Sequence, residues 1–177
     1  MQTQKPREIA FRVLRTRTVV CGFVEPRLEA ELARAGLGAA DRILSQELVY
    51  GVVRWQATLD WLIARKTAGG RPQKTALQIL LRLGLYQMFW LDRIPYHAAV
   101  HETVQLAREL GLGAQAGFVN AVLRGYARER TNTRQQLEEL KVREPATGWS
   151  HPAWLVARWT TRWGAEQTSR LDRKSVV

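Results

Sequence analysis

The chain has 177 residues, 46% of them hydrophobic, which is enough for one packed domain with an appendage. Lysine and arginine number 27 against 16 aspartates and glutamates, and the resulting +11 charge points to a polyanionic partner, nucleic acid first. The lone cysteine, Cys21, excludes a disulfide framework and cannot build a zinc site by itself, and no targeting or membrane segment is visible, so the expected compartment is the cytoplasm. A membrane-surface partner would want its basic residues along one amphipathic helix, whereas these arginines are spread over several.

Residues 1–6 are a polar lead-in, with Pro6 suited to a first helical turn. From Arg7 to about Val20 the pattern is helical, with Ile9, Ala10, Val13 and Leu14 on one side and Lys5, Arg12 and Arg15 on another. Those cations, together with Arg7, are either a solvated face or phosphate contacts. Cys21-Gly22 breaks the pattern. Pro26 starts a short helix, Arg27 to Arg34, which the Gly36/Gly38 loop ends. Asp41 is expected to N-cap one long helix to about Lys66, with a buried seam through Leu44, Leu48, Val52, Trp55, Leu59 and Leu62. Gly51 lowers helix propensity there, so close packing against another helix is its expected reason. Seam position makes Trp55 core rather than a base-stacking surface.

The loop Thr67–Pro72 leads into Leu77–Leu91, where only Gly84, Gln78, Arg82 and Gln87 interrupt an apolar run. Such a helix must be surrounded by other helices, and it falls short of the ~20 residues that span a bilayer. Asp92 to Pro95 reads as a stop and a fresh start. The next helix runs from His97 to about Leu110. His97 and His101 are four apart, but no third ligand falls at a recognisable offset and Glu102 follows the second histidine, so no metal is expected. A helix from about Gln115 to Glu129 buries Val119, Val122 and Tyr126, while Asn120 and Arg124 lie four apart on the other side.

Residues 131–149 turn polar and predict a short solvated helix and a linker. Ser150-His151-Pro152-Ala153-Trp154 opens a last helix to about Arg170, with Ser150 or His151 near its N-cap. Trp154, Leu155, Trp159 and Trp163 give that helix an apolar face in need of a partner. No strand candidate occurs, and the fold class is all-α. Catalytic groupings are missing too. There is no G-x-G-x-x-G, no carboxylate pair and no Ser/His/Asp set, and Cys21 reads as a small buried residue, so no catalytic residue and no cofactor is assigned to this chain.

Four blocks carry a family resemblance: Glu47-Leu48-Val49-Tyr50-Gly51-Val52-Val53-Arg54-Trp55, then Leu81 to Gln87 with Leu91-Asp92-Arg93-Ile94-Pro95, then Gly117 to Arg124, then Ser150-His151-Pro152-Ala153-Trp154. In this order they resemble the N-terminal region of the RsmB (Sun/Fmu) family of ribosomal RNA methyltransferases, a region that itself looks like the antitermination factor NusB. The resemblance implies a NusB-like RNA-binding helical bundle over 1–130, a linker over 131–149, and over 150–171 the start of the segment leading to a methyltransferase domain. Residues 172–177 depart from the family and match one translated frame of a common sequencing-adapter oligonucleotide, so a non-native tail is expected there. His101 departs as well, since the family more often has Asn or Asp.

The family makes 5-methylcytosine in small-subunit ribosomal RNA with S-adenosylmethionine. The implied role of this part is RNA binding and targeting, its partners being ribosomal RNA and its own catalytic domain, with no membrane. Phosphate contacts would come from Lys5, Arg7, Arg12 and Arg15. By resemblance, Phe118 would stack on an unpaired base, and Asn120 and Arg124 would bond base edges or phosphate, on one surface with the start of the first helix. Phe118 as core and Asn120 as a packing residue remain open. So do two other functions: a free-standing NusB-like antitermination factor with a ribosomal protein partner, and a helical protein-interaction module without RNA affinity.

Overall fold

A helix that is apolar all round is stable only when neighbours cover every side, and α5 (Thr75–Trp90) has them. In the computed structural model, which describes residues 5–19, 23–67 and 73–173, α5 touches α1 (Pro6–Val19), α3 (Ala39–Arg54), α4 (Gln56–Lys66), α6 (Tyr96–Glu109) and α7 (Gly113–Arg128). The remaining elements are α2 (Glu25–Ala35), α8 (Arg130–Arg143), α9 (Pro145–Gly148) and α10 (Ala153–Arg173), and no strand occurs among the described residues. The architecture is all-α, as the periodicities predict.

Two glycines set how closely α5 is approached. A Cβ on Gly51 would fall 1.9 Å from the Tyr86 ring, and one on Gly84 would fall 2.7 Å from a Leu123 methyl, so α3 and α7 lie close enough to α5 that a side chain at either position would displace its neighbour. The Tyr86 hydroxyl then donates to the Glu47 carboxylate on α3. Each polar interruption of α5 also has a partner, which is what makes its burial tolerable. Gln78 and Arg82 both reach Asp60 on α4, Arg82 through two bonds of 2.7 Å. Gln87 is fully buried, donates to the Leu83 carbonyl at 2.8 Å, and accepts from the Arg7 Nε–H at 2.7 Å.

The single helix expected from Asp41 to Lys66 is two. Gly38 precedes α3, and Asp41 sits inside its first turn, where a carboxylate suits the positive end of the helix dipole. Trp55, at φ −102° and ψ 19°, then separates α3 from α4. The seam keeps its phase across the break, with Leu48, Val52, Leu59 and Leu62 buried and Leu44 and Trp55 packed against them, so periodicity alone does not register it. What occupies the break is a remote segment. Arg54 donates to the Trp149 carbonyl at 2.6 Å, the Ala57 N–H donates to Ser150 Oγ at 2.9 Å, and Thr58 Oγ1 donates to the Thr147 carbonyl at 2.7 Å. Ser150, held at a left-handed φ of 57°, therefore caps the start of α4 and not that of α10, which begins at Ala153.

The polar stretch 131–149 likewise differs from a linker. It forms α8 and α9, with Thr133, Leu137 and Leu140 buried at spacings that put them on one narrow stripe. Gly148 has no room for a side chain, since a Cβ there would lie 2.5 Å from the Lys141 backbone. The Trp149 ring centroid lies 6.5 Å from that of Trp55, and the Lys141 ammonium sits over the Trp149 ring, 4.6 Å from its centroid. The segment is docked because two leucines, a buried threonine and a glycine suffice when the rest of the face can be solvated.

Beyond it, α10 bends at Gly164 (φ 76°), and Thr168 returns to share a small apolar nook with Trp149, Val156 and Trp159. Trp154 is 67% exposed and Trp163 40%, whereas Leu155 and Trp159 are half-buried, so the face expected to need a partner is covered only in part. Cys21-Gly22, the loop over 68–72 and the tail residues 174–177 lie outside the described residues.

Candidate nucleic-acid interface

The cations at the start of α1 do not stand free. Lys5 bonds Glu109 at 2.7 Å, which holds the ammonium above its ordinary pKa and the Glu109 carboxyl below the usual carboxylate range. Arg7, only 17% exposed, is bonded to Gln87 and lies 3.8 Å from Glu102; burial lowers its pKa, and Glu102 opposes that. Glu102 and Glu109 are seven apart, two turns along one side of α6. Arg12 lies between Glu8 (3.5 Å) and Glu31 (3.1 Å). Arg15 is exposed and faces no carboxylate among the described residues, its guanidinium 5.8 Å from the Phe11 ring.

On α7, Val119, Val122 and Tyr126 are buried as expected, and the Tyr126 hydroxyl donates to the Leu62 carbonyl. Phe118 is 38% exposed, so it is not core. Successive residues turn by ~100° around a helix, which sends Phe118 and Asn120 about 200° apart. The block from Phe118 to Arg124 is thereby divided: Asn120 and Arg124 line a groove between α6 and α7, and Phe118 does not.

That groove has a volume of about 680 Å³ and is walled by His97, His101 and Arg108 from α6 and by Asn120, Arg124 and Arg128 from α7. Its floor includes Val100, Val104 and Ala116, and no carboxylate lines it. Arg108 and Arg124 are exposed and form no ion pair among the described residues. Arg128 has Glu129 beside it, but Glu129 is engaged by Lys66 at 2.7 Å. His101 Nδ1 approaches Glu102 at 3.5 Å. Sequence reasoning missed Arg108 and Arg128 and weighed the histidines only as metal ligands. Asn120, Arg124 and Arg128 share a spacing of four, a signal present in the sequence, but its meaning depends on knowing that α6 faces it. Among the described residues no group of three His, Cys, Asp or Glu side chains could hold a metal, and no helix is long and apolar enough to cross a membrane.

Comparison with known proteins matches the NusB family model to residues 4–128. A probable ribosomal RNA small subunit methyltransferase B of Bacillus subtilis is 35% identical over 179 aligned residues, covering 100% of this chain and 39% of that protein. Its Synechocystis counterpart is 36% identical over 93% of this chain and 37% of its own length. The ribosomal RNA small subunit methyltransferase B of Pseudomonas putida is 41% identical over 71% of this chain and 29% of that protein. The chain thus spans under two fifths of the length of these relatives, to whose N-terminal region it is homologous. The match over most of its length places this chain in the NusB family.

Proposed function

We propose that this chain is the RNA-binding and positioning region of a cytoplasmic small-subunit ribosomal RNA methyltransferase, and that it performs no chemistry itself. The observation that carries this reading is the extent of the similarity. Relatives bearing that name align over 93–100% of the chain, through α8 to α10 and past residue 128, where the NusB match stops. A free-standing antitermination factor accounts for the NusB part alone. S-adenosylmethionine and the target cytosine would be held by the catalytic part of the full-length enzyme.

The +11 charge supplies affinity for RNA. Within the described residues, Arg15 and Arg124 are exposed and unengaged by carboxylates, and they serve as phosphate contacts. Asn120 bonds base edges or phosphate, and Phe118 offers a ring for stacking on an unpaired base. Lys5 and Arg12 exchange their glutamates for phosphates, while Arg7 works from inside by holding Gln87.

The test is a titration of the chain with small-subunit ribosomal RNA fragments and with a scrambled RNA, between about 50 and 200 mM salt. Affinity that falls steeply with salt and favours a ribosomal segment is expected. Absence of RNA binding at the lowest salt would overturn the proposal and favour a protein-interaction module.

A further inference from the structure

We propose that the α6–α7 groove is a second RNA contact, one that holds the sugar–phosphate backbone of a strand and not its bases. This rests on the RNA-binding reading above and extends it to His97, His101, Arg108 and Arg128.

Three features of the groove argue for phosphate. Arg108, Arg124 and Arg128 converge on it without a carboxylate among the lining residues, and the guanidinium fork matches phosphate oxygens. Lys5, Arg7 and Arg12 at the start of α1 each face a glutamate, whereas the groove brings three arginines together with no carboxylate among its lining residues. The floor of Val100, Val104 and Ala116 is aliphatic and gives a base no platform; of the three lining rings, Tyr96 and His97 stand edge-on to each other at 5.7 Å, and His101 turns its Nδ1 toward Glu102 at 3.5 Å. The groove is also open where a chain must enter. A Cβ on Gly117, which lines it, would meet nothing within 4 Å.

The groove is separate from the start of α1. His97, His101, Val104 and Arg108 recur at helical spacing along one flank of α6, whereas Glu102 and Glu109, which hold Arg7 and Lys5, lie on the other. From His97 to Arg108 the wall runs for about 16 Å at 1.5 Å per residue, long enough for several consecutive backbone units of a strand. One flank of α6 therefore neutralises the cations at the start of α1 with its glutamates, and the other flank leaves the groove's positive charge open.

The test compares two groove variants with a control in the full chain. Combined Arg108→Ala, Arg124→Ala and Arg128→Ala should reduce the slope of log affinity against log salt by about 2, at ~0.7 per single-strand phosphate contact. Gly117→Glu places a carboxylate in the groove where a Cβ finds open space, and glutamate favours a helix more than glycine does, so folding is retained while RNA affinity falls. Arg15→Ala with Phe118→Ala reports on the other contacts. Circular dichroism checks that each variant is helical. Wild-type affinity and slope in both groove variants would overturn the second contact, and Arg124 as a phosphate contact with it, while RNA binding by the chain through its other contacts would stand. A wild-type chain that binds no RNA would overturn both. Binding of an acidic polypeptide in place of RNA, lost in Gly117→Glu, would assign the groove to a protein and overturn the proposal.

Discussion

Arginines at the start of α1 and arginines in the α6–α7 groove come from the same excess of charge and meet opposite fates. Arg7 is enclosed, bonded to a buried glutamine and faced by Glu102, and Arg12 lies between two glutamates. Arg108 and Arg124 stand exposed in a groove without a carboxylate. Net charge therefore names a class of partner but not the place where the partner sits. The place depends on which cations the fold has already matched. A solvent-screened surface pair such as Lys5–Glu109 contributes little and yields readily to a phosphate, whereas a cation bonded to a buried side chain does not.

The strongest way to break this contrast is Arg7→Ala. It removes the donor to the buried Gln87 Oε1, so a loss of about 1–3 kcal/mol in stability is expected, seen as a lower midpoint in a denaturant melt. The salt slope of RNA binding should stay at the wild-type value. A reduced slope with unchanged stability would make Arg7 a ligand contact and erase the distinction.

A smaller effect sharpens it. Glu109 has a depressed pKa, so its contribution to stability is present above the ordinary glutamate value and is lost as pH falls through the folded-state value. Lys5 has a raised pKa, and its contribution is lost only as pH rises past that value. Lys5→Met should lower the melting temperature slightly at neutral pH and converge with wild type in acid, where Glu109 is protonated. A difference that persists in acid would mean that Lys5 packs rather than pairs.

How much of this was legible depended on where the cause lay along the chain. The surrounded helix α5, the seam from Leu44 to Leu62 and the close approach at Gly51 are written in local spacing, and the structure has all three. The break at Trp55 and the docking of 147–150 are not. They rest on Ser150 reaching the Ala57 N–H from 93 residues away, and a seam that keeps phase hides the interruption. At the candidate interface, Asn120 and Arg124 could be grouped from their spacing of four. Arg7 could not be distinguished from a solvated cation, because Gln87 is 80 residues distant. Arg108 and Arg128 gain meaning only once α6 and α7 are seen to share a groove.

The most direct test of the contrast is arginine modification of the folded chain by phenylglyoxal, with and without a ribosomal RNA fragment, read out by mass spectrometry. Arg108, Arg124 and Arg128 should react in the free chain and be protected when RNA is bound, while Arg7 should react slowly in both. Groove arginines that react equally with and without RNA, beside an Arg7 that reacts freely and is shielded by it, would contradict the account.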